Sequence, residues 1–398
     1  MPTRPSFEPF WALSALVAAS CAGAPPPVSA TSASALTPAT TAAPRSSAAR
    51  ASTPAPAAPV EPSRGAAPAV AAPATSAAPP PAPASTALAR GTSSPADAPL
   101  AEGDAAFERD DLKHALAAYQ RAKRLAPSDP APVAGIARVT LAAPDVSLAL
   151  GSAPKDKRVL ALLTALDRAR TFEPDYEPVD RERGKTLFVL GRGEQAVEAL
   201  EHAVALVPND VEAVSTLAVT LISLGQSERA MPFLRHVAEL EPNSAEPFTN
   251  LGTALLLTDH VGEAADAFAR AVTLEPSSAR THSDLGTACL AQGRIETAVA
   301  ELTRATELDP KRATYRSNLA HALEVAGRLA EAYASATRAT ELDPKLGSAW
   351  LNVGTAAAKL GHLDDARRAF ERAKALDPTD PRPTTDLAEL EEFSRTQH

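Results

Sequence analysis

Residues 347–380 read GSAWLNVGTAAAKLGHLDDARRAFERAKALDPTD, and this stretch decides the fold. Pro378, near its end, has counterparts at Pro344, Pro310, Pro276, Pro242, Pro208 and Pro174, each 34 residues from the next. So regular a beat marks repeated supersecondary units rather than one closed core. Between the prolines, Gly or Ala recurs at Gly184, Ala218, Gly252, Gly286, Ala320 and Gly354, and Ala at Ala196, Ala230, Ala264, Ala298, Ala332 and Ala366. A third small place is mostly Ala: Ala203, Val237, Ala271, Ala305, Ala339 and Ala373. Small residues at fixed places are where helices come close.

Within one unit, Phe248, Leu251 and Leu255 fall three and four apart, as do Ala264, Phe268 and Ala271. Each triplet is one face of a 3.6-residue period, so each unit is two amphipathic helices. Between them stand Gly191, Gly225, Gly293, Gly327 and Gly361, with Asp259 at the same place in one unit. That is the position for a left-handed residue just past a helix C-terminus. The proline ends the second helix because it cannot donate the next helical hydrogen bond.

Trp350, Val353, Gly354, Ala357, Ala366, Phe370, Ala373 and Pro378 resemble the signature of the tetratricopeptide repeat, W-x2-L-G-x2-Y, then A-x3-F and a closing P. Val353 replaces Leu and Ala357 replaces Tyr. The resemblance implies an all-α, right-handed superhelical solenoid of about eight helix-turn-helix repeats, with a groove along the first helices that binds a protein or peptide.

Six contiguous copies fill 177–210, 211–244, 245–278, 279–312, 313–346 and 347–380. Upstream, Gly103, Ala115, Tyr119, Ala122 and Pro127 place a first repeat at 96–129. The second, 130–176, is stretched, because Pro127 and Pro174 lie 47 residues apart. The excess maps to an insertion at 144–156, and a helix through Val159, Leu163, Leu166 and Ala169 restores the beat. Residues 381–398 hold a capping helix and tail, with Leu387, Leu390 and Phe393 on one side and Glu389, Glu391 and Glu392 on the other. A solenoid needs such an end helix to cover its last apolar face.

Residues 22–95 are almost wholly Ala, Pro, Ser and Thr, too poor in apolar area to offset chain entropy, and read as a disordered tether. Before them, Arg4, the apolar run Phe10 to Ala19 and Ala18-Ala19-Ser20-Cys21 read as an export signal, residues 1–21. The small residues before Cys21 resemble the lipobox of bacterial lipoproteins. That resemblance implies lipidation of Cys21 and an anchor in the cell envelope, at the outer membrane. The alternative is ordinary secretory cleavage after Ala22-Gly23-Ala24, giving a secreted or periplasmic chain.

The formal charge is −9, and residues 1–95 carry five basic and two acidic side chains, so the repeats carry −12. An acidic array is a poor nucleic-acid binder, since phosphate neutralisation supplies most of that affinity. Arg outnumbers Lys 30 to 9, in keeping with a GC-rich bacterial genome. Two cysteines, Cys21 and the core-facing Cys289, allow no disulfide framework or cysteine metal cluster, and the eight histidines are scattered. Gly184-Lys185-Thr186 ends like a phosphate loop, but Val179 stands where its first glycine is required. No metal, cofactor or catalytic residue is expected, and the chain reads as a non-enzymatic interaction scaffold. Other readings are an accessory subunit of an envelope machine (pilus, secretin or cell-wall synthesis) or the regulatory partner of a separately encoded enzyme.

The candidate groove residues are Asn250, Asn318 and Asn352, with Asp284 at the same repeat place. An amide there can both donate to and accept from a peptide backbone. Lys185, Arg181 and Arg280 read as isolated, so no basic clamp is expected. Phe107, Leu141, Phe188, Ile222, Leu256 and Leu290 share another place, broken only at Glu324 and Ala358. They form either an apolar stripe for a ligand or core side chains packed on the neighbouring helix.

Overall fold

The computed structural model describes Ala84 and residues 86–396, all within one compact unit. Cys21, the export signal and the tether up to Pro83 lie outside the described residues. The described residues form an all-α helical repeat solenoid of eight helix pairs and a terminal helix. In order these are α1 (Asp97–Glu108), α2 (Leu112–Leu125), α3 (Ala131–Leu141), α4 (Lys157–Arg170), α5 (Glu177–Val189), α6 (Gly193–Leu206), α7 (Val211–Ser223) and α8 (Ser227–Leu240). Then come α9 (Ala245–Leu257), α10 (Val261–Leu274), α11 (Ala279–Ala291), α12 (Ile295–Leu308), α13 (Ala313–Val325), α14 (Leu329–Leu342), α15 (Gly347–Lys359), α16 (Leu363–Leu376) and α17 (Arg382–Thr396). Odd-numbered helices up to α15 open repeats and even-numbered ones close them.

The small places do what their size requires. A Cβ built on Gly286 would meet Leu302 Cγ at 2.6 Å, and one on Gly354 would overlap the Phe370 ring. The first helix therefore lies directly on the large residue of the second. The connecting turns close with a six-residue bond: Arg192 N–H donates to Leu187 C=O at 2.9 Å, and Arg294 N–H to Cys289 C=O at 2.8 Å. Their left-handed residues are the expected glycines, while Asp259 (φ 62°) and Asp110 (φ 59°) serve in two repeats. Asp tolerates this conformation better than most side chains.

First helices of successive repeats touch one another within repeats 1–4 and within repeats 5–8, whereas successive second helices have no comparable contact among the described residues. The first helices thus share a face along each of these runs. At the far end α17 packs on α16, with Leu390 buried and Leu387 beside it. The 142–156 loop is not a slack turn. Gly151 and Ala153 N–H donate to Phe188 and Val189 C=O (3.0 and 3.1 Å), closing carbonyls at the end of α5.

One boundary differs from the sequence expectation. Composition extends the tether to residue 95, but Leu88 is fully buried in the first repeats. Such a stretch cannot build a core of its own; here it borrows one.

Candidate functional site

On the first-helix face, counting each repeat from its first residue, the ninth place carries Asp104, Arg138, Lys185, Val219, Thr253, Thr287, His321 and Thr355. The sixth carries Asn250, Asp284, Asn318 and Asn352 in repeats 5–8. The fifth carries Arg181 in repeat 3, then Ser215, Thr249, Ser283 and Ser317.

The asparagines staple repeats together. Asn318 Nδ2 donates to Ser283 Oγ at 3.3 Å, and Asn352 Nδ2 to Ser317 C=O at 2.8 Å and Oγ at 3.1 Å. Their amide oxygens accept no bond from the described residues and remain acceptors for a ligand N–H. Asn250 is buried, and its Oδ1 has no hydrogen-bond partner among the described residues. Asp284 lies 3.6 Å from Arg280 Nε. Burial pushes its carboxyl up to about 6, with Arg280 opposing.

The apolar stripe does not run along the surface. Leu141, Phe188 and Ile222 are 1, 4 and 1% exposed and belong to one continuous core, which corrects the groove reading of Phe188 and Ile222 in favour of core packing. Phe107, Leu256 and Leu290 are partly buried and lean on the core.

The basic residues that read as isolated are not. Arg181, 1% exposed, is held by Glu177 (3.4 Å), Glu182 (3.3 Å), Glu212 (3.3 Å) and Asp210. Lys185 Nζ pairs with Glu182 at 3.0 Å and Glu212 at 2.6 Å. Arg138 links Glu182 (3.9 Å) to Asp104 (3.8 Å), and Glu212 belongs to the fourth repeat, so the network spans four repeats. Asp210 also caps α7, its Oδ1 accepting Ala213 N–H at 2.8 Å.

Carboxylates outnumber cations in this buried cluster, and burial pushes Glu177 up to about 8 against the pull of Arg181. Burial would raise Glu212 too, but Lys185, Arg181 and Arg138 outweigh it and hold that carboxyl well below the usual range. Sequence inspection misses the network when it follows small and apolar places only. A signal is present all the same: Arg138 and Lys185 occupy one repeat place, and Glu177, Arg181 and Lys185 step by four along α5.

A stretch of backbone already lies on this face. Asp104 Oδ2 accepts the consecutive amides of Leu88 (2.8 Å) and Ala89 (2.9 Å), while Tyr119 Oη donates to Asp104 Oδ1 at 2.8 Å. Arg138 Nη2 donates to Thr86 C=O at 2.8 Å, and Ala84 N–H to Asn209 C=O at 2.8 Å. Arg90 forms a bidentate pair with Glu173 (3.2 and 2.9 Å) and sits over the Tyr176 ring, 4.2 Å from its centre. Among the described residues no group of three His, Cys, Asp or Glu is placed to hold a metal ion.

Paired helices on a 34-residue period, close-packed at Gly and Ala, define a helical-repeat protein whose side chains can grip a peptide backbone. Residues 187–251, 249–313, 283–346 and 347–380 match models described as tetratricopeptide repeat. The chain is a tetratricopeptide-repeat protein.

Among solved structures it is similar to the Cut9–Hcn1 hetero-tetramer of APC/C, with 14% identity and a TM-score of 0.51 over 76% of this chain. It spans 57% of that chain, and the likeness is one of fold. It is also similar to YrrB, described as a TPR protein with an unusual peptide-binding site: 24% identity, TM-score 0.39, 48% of this chain and 97% of that one. A MamA protein shows 24% identity and a TM-score of 0.41, with 43% of this chain and 94% of that one covered. No curated protein sequence matches the chain.

Proposed function

We propose that this chain is a non-catalytic scaffold that binds an extended protein segment along its first-helix face. The observation that carries the reading is the Thr86–Ala89 backbone, whose carbonyl and amides are held by Arg138 and Asp104 from that face. In repeats 5–8 the same face presents Thr287, Asn318, Asn352 and Thr355, each part-exposed. Main-chain hydrogen bonds give such binding its affinity, and spaced side chains give it specificity.

The export signal and Cys21 support a chain anchored in a bacterial envelope by its lipidated N-terminus, serving there as an assembly or accessory subunit. Mass spectrometry of the mature N-terminus tests the anchor: a diacylated Cys21 is expected, and a free N-terminus downstream of it removes the membrane from this reading. The binding face is tested by placing a photo-crosslinking amino acid at His321 on α13 or Arg338 on α14, in cells that make the chain. Adducts with another protein are expected from His321 alone. Equal adducts from Arg338 would move the interaction off the first helices.

A further inference from the structure

We propose that the segment holding Ala84 and residues 86–90 is a built-in ligand of repeats 1–3, which an incoming extended segment must displace. The inference rests on the scaffold reading above and adds what the first repeats recognise. Every contact here is of the kind a peptide ligand makes. One carboxylate takes two consecutive amides and one guanidinium takes a carbonyl, both from first helices. Leu88 is fully buried with small neighbours, Ala87 and Ala89, on either side. Arg90 ends the motif between Glu173, Asp129 and the Tyr176 ring.

The close-packing place of the first repeat is filled by Tyr119, which lies against Gly103 and Gly135, and Leu88 adds to the same core. Asp104 is preset for its role, because Tyr119 Oη and Arg138 hold its other oxygen. A buried carboxylate so oriented has capacity left for amide donors, and those of Leu88 and Ala89 satisfy it.

The partner this site fits is an extended peptide with a leucine flanked by small residues and an arginine two positions later. Being tethered, the built-in segment acts at a millimolar-range effective concentration, so a free peptide of ordinary affinity is excluded. The first repeats then engage a partner only when it binds elsewhere on the array as well, or when the tether is drawn away.

The test uses the full chain and a fluorescent peptide of residues 83–93, PASTALARGTS. Leu88→Glu, which places a charge where the apolar side chain is buried, is expected to bind the peptide about tenfold or more tighter than the wild-type chain, by vacating the site. Adding Asp104→Asn to Leu88→Glu is expected to abolish that binding. Equal binding by wild type and Leu88→Glu, or none by a Leu88→Glu chain with an unchanged circular dichroism spectrum, overturns the proposal. Hydrogen exchange gives a second reading that needs no peptide. The Leu88 and Ala89 amides are expected to be protected in the wild type and to exchange freely in Asp104→Asn, and absence of protection in the wild type also overturns it. Crosslinking through His321 does not depend on the built-in segment, so its success alongside failure here removes this inference and leaves the scaffold.

Discussion

Repeats 1–3 and repeats 5–8 share one backbone plan and one set of close-packing glycines, yet they fill the first-helix face differently. The first three bury Asp104, Arg138, Glu177, Arg181, Glu182 and Lys185 in one ionic network and carry a stretch of chain across it. At the fifth, sixth and ninth places the last four carry mostly Ser, Thr and Asn, with Asp284, His321 and Leu351 among them, and the amides of Asn318 and Asn352 cross-link repeats. Their apolar cores differ as well. One cluster of buried residues runs from Leu88 to Ala254, whereas three smaller ones, the first reaching back to Met231, make up the rest. A solenoid is held by nearest-neighbour interfaces, so a long-range charge network makes the N-terminal repeats depend on each other more than the C-terminal repeats do.

The largest effect expected from this contrast is at Arg181. Arg181→Met removes one partner from four carboxylates, and breaking a buried pair in this way costs about 3–5 kcal/mol. Urea unfolding should show that loss, with hydrogen exchange rising across 130–244 together. A loss confined to 177–210 would break the idea of one coupled N-terminal unit.

The same network should impose a pH dependence that the C-terminal repeats lack at neutral pH. Glu177 binds its proton more tightly folded (about 8) than at its ordinary value of 4.5. Its contribution is therefore fully present below 4.5 and is lost as pH rises towards 8. Glu212 is shifted the other way, so its contribution is present above 4.5 and is lost in acid. The urea midpoint should accordingly peak near pH 5 and fall towards pH 8. Glu177→Gln should flatten that fall, and an unchanged slope would show that Glu177 is ionised in the fold.

In the C-terminal half, Gly286→Leu should cost about 1–3 kcal/mol by overpacking against Leu302. Exchange should rise first in 279–312 and its flanking repeats. Uniform loss along the array would contradict the nearest-neighbour picture. The smallest effect is expected at Asn352→Ala, which removes the bonds to Ser317 and should cost about 0.5–1.5 kcal/mol. A cost as large as that of Arg181→Met would erase the distinction between the two halves.

The candidate site was legible only in part. Asn318 and Asn352 lie on the first-helix face as their repeat place implies, but half of each amide is spent on the preceding repeat. The stripe of large residues was ambiguous in sequence because one place in the repeat can face a neighbour or solvent. In repeats 2–4 it is covered, at Leu141, Phe188 and Ile222. The tether boundary misled for a similar reason. Composition measures what a segment can bury against itself, and Leu88 is buried against other residues.

By itself the sequence determined the period, the helix pairs, the left-handed turn residues and the close contacts at Gly and Ala, because these depend on spacing and side-chain size within one 34-residue unit. The tertiary structure alone decided which charges meet and what the first repeats hold. Arg181 reaches Asp210 at the end of its own repeat and Glu212 in the next, Arg138 joins Asp104 to Glu182, and Asp104 captures a segment that precedes the array. Those contacts come from stacking successive units, and stacking sets distances that no spacing within one unit contains.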